Sequence, residues 1–133
     1  MTVGIAPSRG DSFELIEGSW ASAVAQGLNS SYQTVKAYAT GGQTKATQIA
    51  VNASLVYIST VASGGDSVKL PAAKAGMVKM ILNGTATSAN VFGYNSTDTI
   101  NGTVGSTAAA LAGNKSAVYF CPKDGYWGYV VIA

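Results

Sequence analysis

From Val35 onward, short apolar runs alternate with turns rich in Gly, Asn, Asp and Ser. Each run spans roughly four to eight residues, which is the length of a strand rather than a helix. The strand-like segments are residues 35–39, 47–51, 54–60, 67–70, 77–82, 87–94, 108–111, 116–121 and 126–132. This spacing predicts an all-β domain over residues 35–133, either an antiparallel β-sandwich or a jelly-roll-like barrel, without an internal repeat.

The turns carry specific backbone signals. Asn83-Gly84 and Asn101-Gly102 are dipeptides typical of tight hairpins, so we predict that residues 77–82 and 87–94 pair as a hairpin. Several Asn residues also begin Asn-x-Ser/Thr triplets, which are glycosylation acceptors in secreted proteins. Because no signal peptide is recognisable, we interpret these residues as turns; they are Asn29, Asn52, Asn83, Asn95, Asn101 and Asn114.

Three of the predicted strands carry informative side-chain patterns. Residues 54–60 are apolar on both faces, which predicts a strand that is central or covered on both sides. In residues 77–82, Val78, Met80 and Leu82 share one face and Lys79 lies on the other. Residues 126–132 are apolar on both faces, so this strand must be buried in the domain or at a subunit contact. The candidates for an oligomer interface are Tyr126, Trp127 and Tyr129.

Residues 1–34 differ from the rest because their apolar side chains follow neither strand nor helix periodicity. Such a segment buries little surface alone, yet it contains large apolar groups. We predict an extended N-terminal arm that becomes ordered on a neighbouring subunit or lattice. The alternative is an extension packed on its own domain. The anchors that would contact the partner are Ile5, Phe13, Leu15, Ile16 and Trp20.

Composition narrows the class of function. Charged residues make up only 11% of the chain, against roughly 25% in ordinary soluble domains, which favours a protein packed within an assembly. The net charge is +2 and no basic cluster alternates with aromatic residues, so nucleic-acid binding is not expected. No apolar run is long enough to span a bilayer, so no membrane association is expected.

The residue types needed for common catalytic and metal sites are scarce. The chain has no His and one Cys, which removes His-based nucleophile arrangements and zinc sites. Asp66, Asp98 and Asp124 lie in Gly-rich turns, where we predict that each carboxylate bonds to the backbone of its own turn. Cys121 reads as a buried, unreactive thiol. We therefore expect neither an enzyme nor a cofactor or metal site.

Three short motifs carry a resemblance to a known family. They are Gly65-Asp66-Ser67-Val68 with Leu70-Pro71-Ala72-Ala73, then Asp98-Thr99-Ile100-Asn101, then Val118-Tyr119-Phe120-Cys121. Together they resemble a β-sandwich module of tailed-bacteriophage virion proteins, and the resemblance extends from about residue 40 to residue 133. That family includes head decoration (cement) proteins, head fibres and pieces of tail fibres.

The resemblance implies a structural function. The first expectation is a capsid decoration protein that binds the major capsid protein on the outer surface of the head and stabilises capsomer contacts. It implies a homotrimer, made in the host bacterial cytoplasm and located on the virion head. The alternative is a fibre-tip module that binds a receptor glycan, with Tyr94, Tyr126, Trp127 and Tyr129 as candidate stacking rings. Core packing or an oligomer contact explains the same rings.

Overall fold

The computed structural model of the chain describes residues 32–39 and 42–132. Nearly all regular structure in these residues is β, which confirms the all-β class. One short helix, α1, spans Gly42–Lys45. The strands are β1 Tyr32–Lys36, β2 Thr47–Gln48, β3 Leu55–Thr60, β4 Ser67–Lys69, β5 Val78–Asn83, β6 Ala89–Phe92, β7 Thr99–Ile100, β8 Thr103–Val104, β9 Ala109–Leu111, β10 Ser116–Lys123 and β11 Tyr126–Val131.

The first six strands form stacked coils. β1, β3 and β5 lie side by side in one sheet and pair in parallel. β2, β4 and β6 do the same in a second sheet. The chain therefore alternates between the two sheets, and each coil lies on the previous one in the same direction. This is the arrangement of a short β-solenoid. The prediction of an antiparallel sandwich or jelly roll is therefore wrong, because these strands pair in parallel.

The coils repeat along the sequence, contrary to our expectation of no internal repeat. Tyr32 is in register with Leu55, and Leu55 with Met80, so one coil takes roughly 23–25 residues. In the second sheet Thr47 is in register with Val68, and Val68 with Val91. The repeat is one of backbone spacing, because the residues at matching positions differ in type.

Antiparallel strands complete both sheets. β10 pairs with β5 on one side and with β11 on the other. β11 then pairs in parallel with β7, which forms a small hairpin with β8. In the second sheet β9 pairs antiparallel to β6. Among the described residues, one sheet has the order β1-β3-β5-β10-β11-β7-β8 and the other β9-β6-β4-β2. We call them the seven-stranded and four-stranded sheets.

One hydrophobic core lies between these sheets. The seven-stranded sheet contributes alternate residues of β3, β5, β10 and β11, among them Val56, Ile58, Ile81, Tyr119 and Trp127. The four-stranded sheet and its flanking turns contribute Ile49, Val68, Leu70, Val91 and Leu111. Most of these side chains have no exposed surface at all. Burial alternates with period 2 along β3, β5 and most of β10, so one face of each of these strands points into the core.

The two Asn-Gly dipeptides behave differently. Asn101 and Gly102 have φ angles of 48° and 82°, and they join β7 to β8 as a hairpin turn. The sequence predicted a turn at this dipeptide but no strand on either side of it. Asn83-Gly84 instead follows β5 at a corner, after which the chain enters the four-stranded sheet. β5 and β6 therefore do not pair, and the hairpin predicted for residues 77–94 is wrong. The physical reason for this corner is the Asn83 side chain, whose amide donates to the carbonyl oxygens of Thr87 and Leu111 across it.

The start of the strand region lies near the predicted domain boundary. β1 begins at Tyr32, before the boundary predicted at residue 35. The N-terminal arm over residues 1–34 otherwise lies outside the described residues, as do its anchors Ile5, Phe13, Leu15, Ile16 and Trp20. The arm therefore remains a prediction.

Candidate interaction surface

The outer face of the seven-stranded sheet is exposed and apolar. Strand register aligns its side chains in two rows across five strands. The first row is Tyr32, Leu55, Met80, Val118 and Val130. The second is Thr34, Tyr57, Leu82, Ser116 and Ile132, with Ile132 placed by its backbone bond to Ser116. Neither row contains a charged side chain. We call these rows, together with the neighbouring Val78 and Phe120, the outer apolar face.

Most side chains of this face are substantially exposed. Tyr32 and Val130 are each 59% exposed, Val78 is 52% and Met80 is 43%. Leu55, Tyr57, Leu82, Phe120 and Ile132 are also exposed. Scattered apolar residues are common on protein surfaces, but a contiguous patch of this kind marks an interaction site. Residues 54–60 were predicted to be central or covered on both sides. The strand is central, between β1 and β5, but among the described residues it is covered on one side only.

Val78, Met80 and Leu82 of β5 point outward because the alternate residues of this strand occupy its inner face. Lys79, Ile81 and Asn83 are the buried set on this strand. The Lys79 amine donates to the carbonyl oxygens of Ala50 (3.0 Å) and Val51 (2.5 Å). Burial lowers the pKa of Lys79 from its ordinary value. The polar inner side chains thus have assigned backbone partners, whereas Val78, Met80 and Leu82 do not belong to the core.

A shallow groove crosses the outer apolar face. Its volume is about 320 Å³, and it is lined by Tyr32, Leu55, Val56, Tyr57, Met80, Leu82 and Ser116. The lining surface is mostly apolar, and the polar side-chain groups among the lining residues are the hydroxyls of Tyr32, Tyr57 and Ser116. Such a groove suits an apolar side chain from a partner protein better than a polar small molecule, which needs several convergent polar groups.

The carboxylates of the described residues serve the backbone. Asp66 accepts bonds from the amides of Ala62 (2.9 Å) and Ser63 (3.2 Å) within its own turn. Asp98 accepts a bond from the Ala73 amide (2.8 Å), and Asp124 from the Ala75 amide (2.9 Å). The predicted bonding of Asp to the backbone of its own turn is confirmed for Asp66. Asp98 and Asp124 instead bond to amides 25 and 49 residues away, so for them that prediction is wrong.

The potential metal ligands of the described part of the chain do not cluster, and its thiol is buried. Residues 32–39 and 42–132 contain no group of three His, Cys, Asp or Glu side chains that could hold a metal ion. Cys121 is buried and its thiol donates to the Lys123 carbonyl oxygen (2.9 Å). Burial raises the pKa of this thiol, which disfavours the nucleophilic thiolate. The prediction of a buried thiol is confirmed.

Hydrogen bonds connect the three motifs behind the family resemblance, either directly or through the segment that follows the first motif. The Asp98 carboxylate bonds to the Ala73 amide and so joins the second motif to the first. Cys121 of the third motif exchanges backbone bonds with Gly76 and Met77, just after the first motif. The motifs are therefore connected structural elements, which is a role that sequence spacing alone did not reveal.

The aromatic candidates do not form a common platform. Trp127 is fully buried in the core of its own protomer, so it presents no side-chain surface to an interface. Tyr129 is half-buried and stacks on Tyr119, with ring centroids 5.2 Å apart. Tyr126 is half-buried and Tyr94 exposed, and each lies near a different lysine, Lys123 and Lys69 respectively.

Of the interface candidates on β11, Trp127 is therefore better assigned to the core, while Tyr126 and Tyr129 remain predictions. The exposed residues of that strand region are Val130, Val131 and Ile132. The two-faced pattern of residues 126–132 could have indicated Val130 and Ile132, because they alternate with the core residues.

Comparisons with known proteins add no family assignment. No protein-family model, curated protein or solved structure matches this chain significantly. In the part of the chain that the structure describes, no helix is long and apolar enough to cross a membrane.

Proposed function

We propose that this chain is a structural protein of a tailed-phage virion, and specifically a capsid decoration protein on the outer surface of the head. The observation that carries the proposal is the outer apolar face. A wide, uncharged apolar surface is costly to leave in water and is typical of a protein that works within an assembly. The sequence resemblance supplies the virion context.

In this proposal the protein stabilises the head mechanically. Copies bound across capsomer boundaries add buried area, and that area raises the barrier to rupture of the shell. The N-terminal arm binds the major capsid protein, and the outer apolar face makes a further contact within the assembly. The low charge of the chain fits this arrangement, because buried charges need partners.

The proposal is tested by comparing virions with and without the protein. Phage particles that lack it should lose DNA at a lower temperature than complete particles, and added purified protein should restore the difference. A variant with Phe13 and Trp20 replaced by Ala should bind no shell while keeping the circular dichroism spectrum of the wild type. Full binding by that variant would rule out the arm as the contact.

The coil architecture favours a second candidate, a module of a head or tail fibre. Parallel coils extend along one axis, and β1 is an edge strand of its sheet in the described residues. Solenoids grow by adding coils at such an edge. A fibre-tip receptor function predicts saturable binding to a host-surface glycan, so a folded protein that binds no glycan on an array counts against it.

A further inference from the structure

We infer that the outer apolar face binds a second copy of this chain. The inference deepens the proposed function by naming the partner of that surface. It depends on the proposed function only in treating the face as an interaction surface, and it does not require a virion location.

The size of the face matches what a stable complex needs. Nine of its residues are 36% to 59% exposed, which corresponds to residue surface on the order of 700 Å², against roughly 800 Å² per partner in a standard interface. The largest apolar patch of a typical monomer covers roughly 300–600 Å². Covering this face on two copies would therefore bury about the area of a standard interface.

The face is also complementary to itself. Its two rows contain no Lys, Arg, Asp or Glu, so bringing two copies together desolvates no charge. Lys36 lies beyond the rows, at the end of the edge strand β1. A partner of opposite charge has nothing to recognise here, whereas an identical face meets only uncharged and mostly apolar side chains.

Sheet geometry allows this contact. Two sheets pack face to face about 10 Å apart when their facing side chains are apolar and interdigitate. Met80 lies in the middle of the first row and lines the groove, and its flexible thioether adapts to a facing surface. A two-fold arrangement is the simplest closed one, and a trimer whose faces meet on its axis buries the same residues.

The test is the mass of the purified full-length chain in solution, measured by sedimentation velocity from 1 to 100 µM, a range that brackets roughly micromolar self-association. Wild-type protein is expected to form a dimer or trimer. Met80→Glu and Leu55→Glu each place a carboxylate in the centre of the face, and each should weaken self-association at least a hundredfold. The matched control is Val51→Glu, because Val51 is 70% exposed but lies in a turn outside the rows.

Circular dichroism and thermal melting at low concentration establish that each variant is folded. A folded monomer for Met80→Glu, with an oligomer for wild type and Val51→Glu, supports the inference. A wild-type protein that stays monomeric, including one whose face is covered by its own chain, overturns it. So does an oligomer that both face variants leave intact. None of these outcomes decides whether the protein is found on virions.

Discussion

At the level of single residues, β5 places polar side chains in the core and apolar ones in solvent. Lys79 and Asn83 are fully buried, whereas Val78, Met80 and Leu82 are exposed. Each buried polar group is stable there because backbone partners compensate its lost hydration. The exposed set has no such internal role, which is why we assign it to an interface.

The Asn83 network should make a large contribution to stability. Its amide donates to the carbonyl oxygens of Thr87 (2.7 Å) and Leu111 (3.1 Å), and its Oδ1 accepts from Thr85. Asn83→Ala leaves these buried groups unpaired and should lower the free energy of unfolding by about 2–4 kcal/mol. Asn52→Ala, in an exposed turn, should change it by less than about 0.5 kcal/mol. Urea titrations measure both, and equal effects would contradict the network.

Tyr119 should make stability depend on alkaline pH. Burial, and next the neighbouring Tyr129, raises the pKa of Tyr119 above its ordinary 10.0. Above about pH 10 the unfolded chain therefore releases this proton while the folded chain retains it, so stability falls as pH rises. The hydroxyl also has no hydrogen-bond partner among the described residues.

Tyr119→Phe removes both the titrating group and the unpaired hydroxyl. At pH 7 its free energy of unfolding should equal or exceed that of wild type by up to about 1 kcal/mol. Its advantage should then grow by about 1.4 kcal/mol per pH unit above pH 10. Denaturant titrations between pH 7 and pH 11 provide the measurement. Parallel curves for the two proteins would show that Tyr119 does not titrate differently on folding.

At the level of elements, the positions of the strands could be predicted from the sequence better than the pairing between them. Alternation and turn residues fall in the same places for parallel and antiparallel sheets, so the strands near residues 55, 78 and 116 were predictable while their pairing was not. The coil repeat was missed because matching positions hold different residues, such as Tyr32, Leu55 and Met80. At Asn83-Gly84, long-range bonds of the Asn83 side chain overrode the local hairpin preference.

The candidate surface could be predicted only in part. The alternation of Val78, Met80 and Leu82 with Lys79 was visible, but hydrophobicity alone would place the apolar set inside. The reversal depends on the carbonyl groups of Ala50 and Val51, which another coil brings to Lys79. No local pattern contains that information.

The segment after β4 should depend on two carboxylates from distant turns. The bond from the Ala73 amide to Asp98 is buried, whereas that from the Ala75 amide to Asp124 is exposed. Asp98→Ala should therefore lower the free energy of unfolding by about 2–3 kcal/mol, and Asp124→Ala by less than about 1 kcal/mol. Thermal melts of both variants compare them directly. A larger loss for Asp124→Ala would contradict this assignment.

At the level of the whole molecule, the stacked coils and the strands added to them form a sheet whose two faces have different roles. One face closes the core, and the other presents aligned apolar rows that a single copy does not cover within the described residues. A chain with 11% charged residues gains little from standing alone in water. Assembly is the common feature of the proposed decoration function and the proposed self-association.

The most direct test of the proposed function is antibody labelling of intact virions that contain this protein, viewed by electron microscopy. The account predicts label spread over the icosahedral head, with many copies per particle. Label confined to the tail or to fibre tips would contradict the decoration function and favour the fibre module. Absence of label from purified virions whose protein is detected elsewhere in infected cells would contradict both.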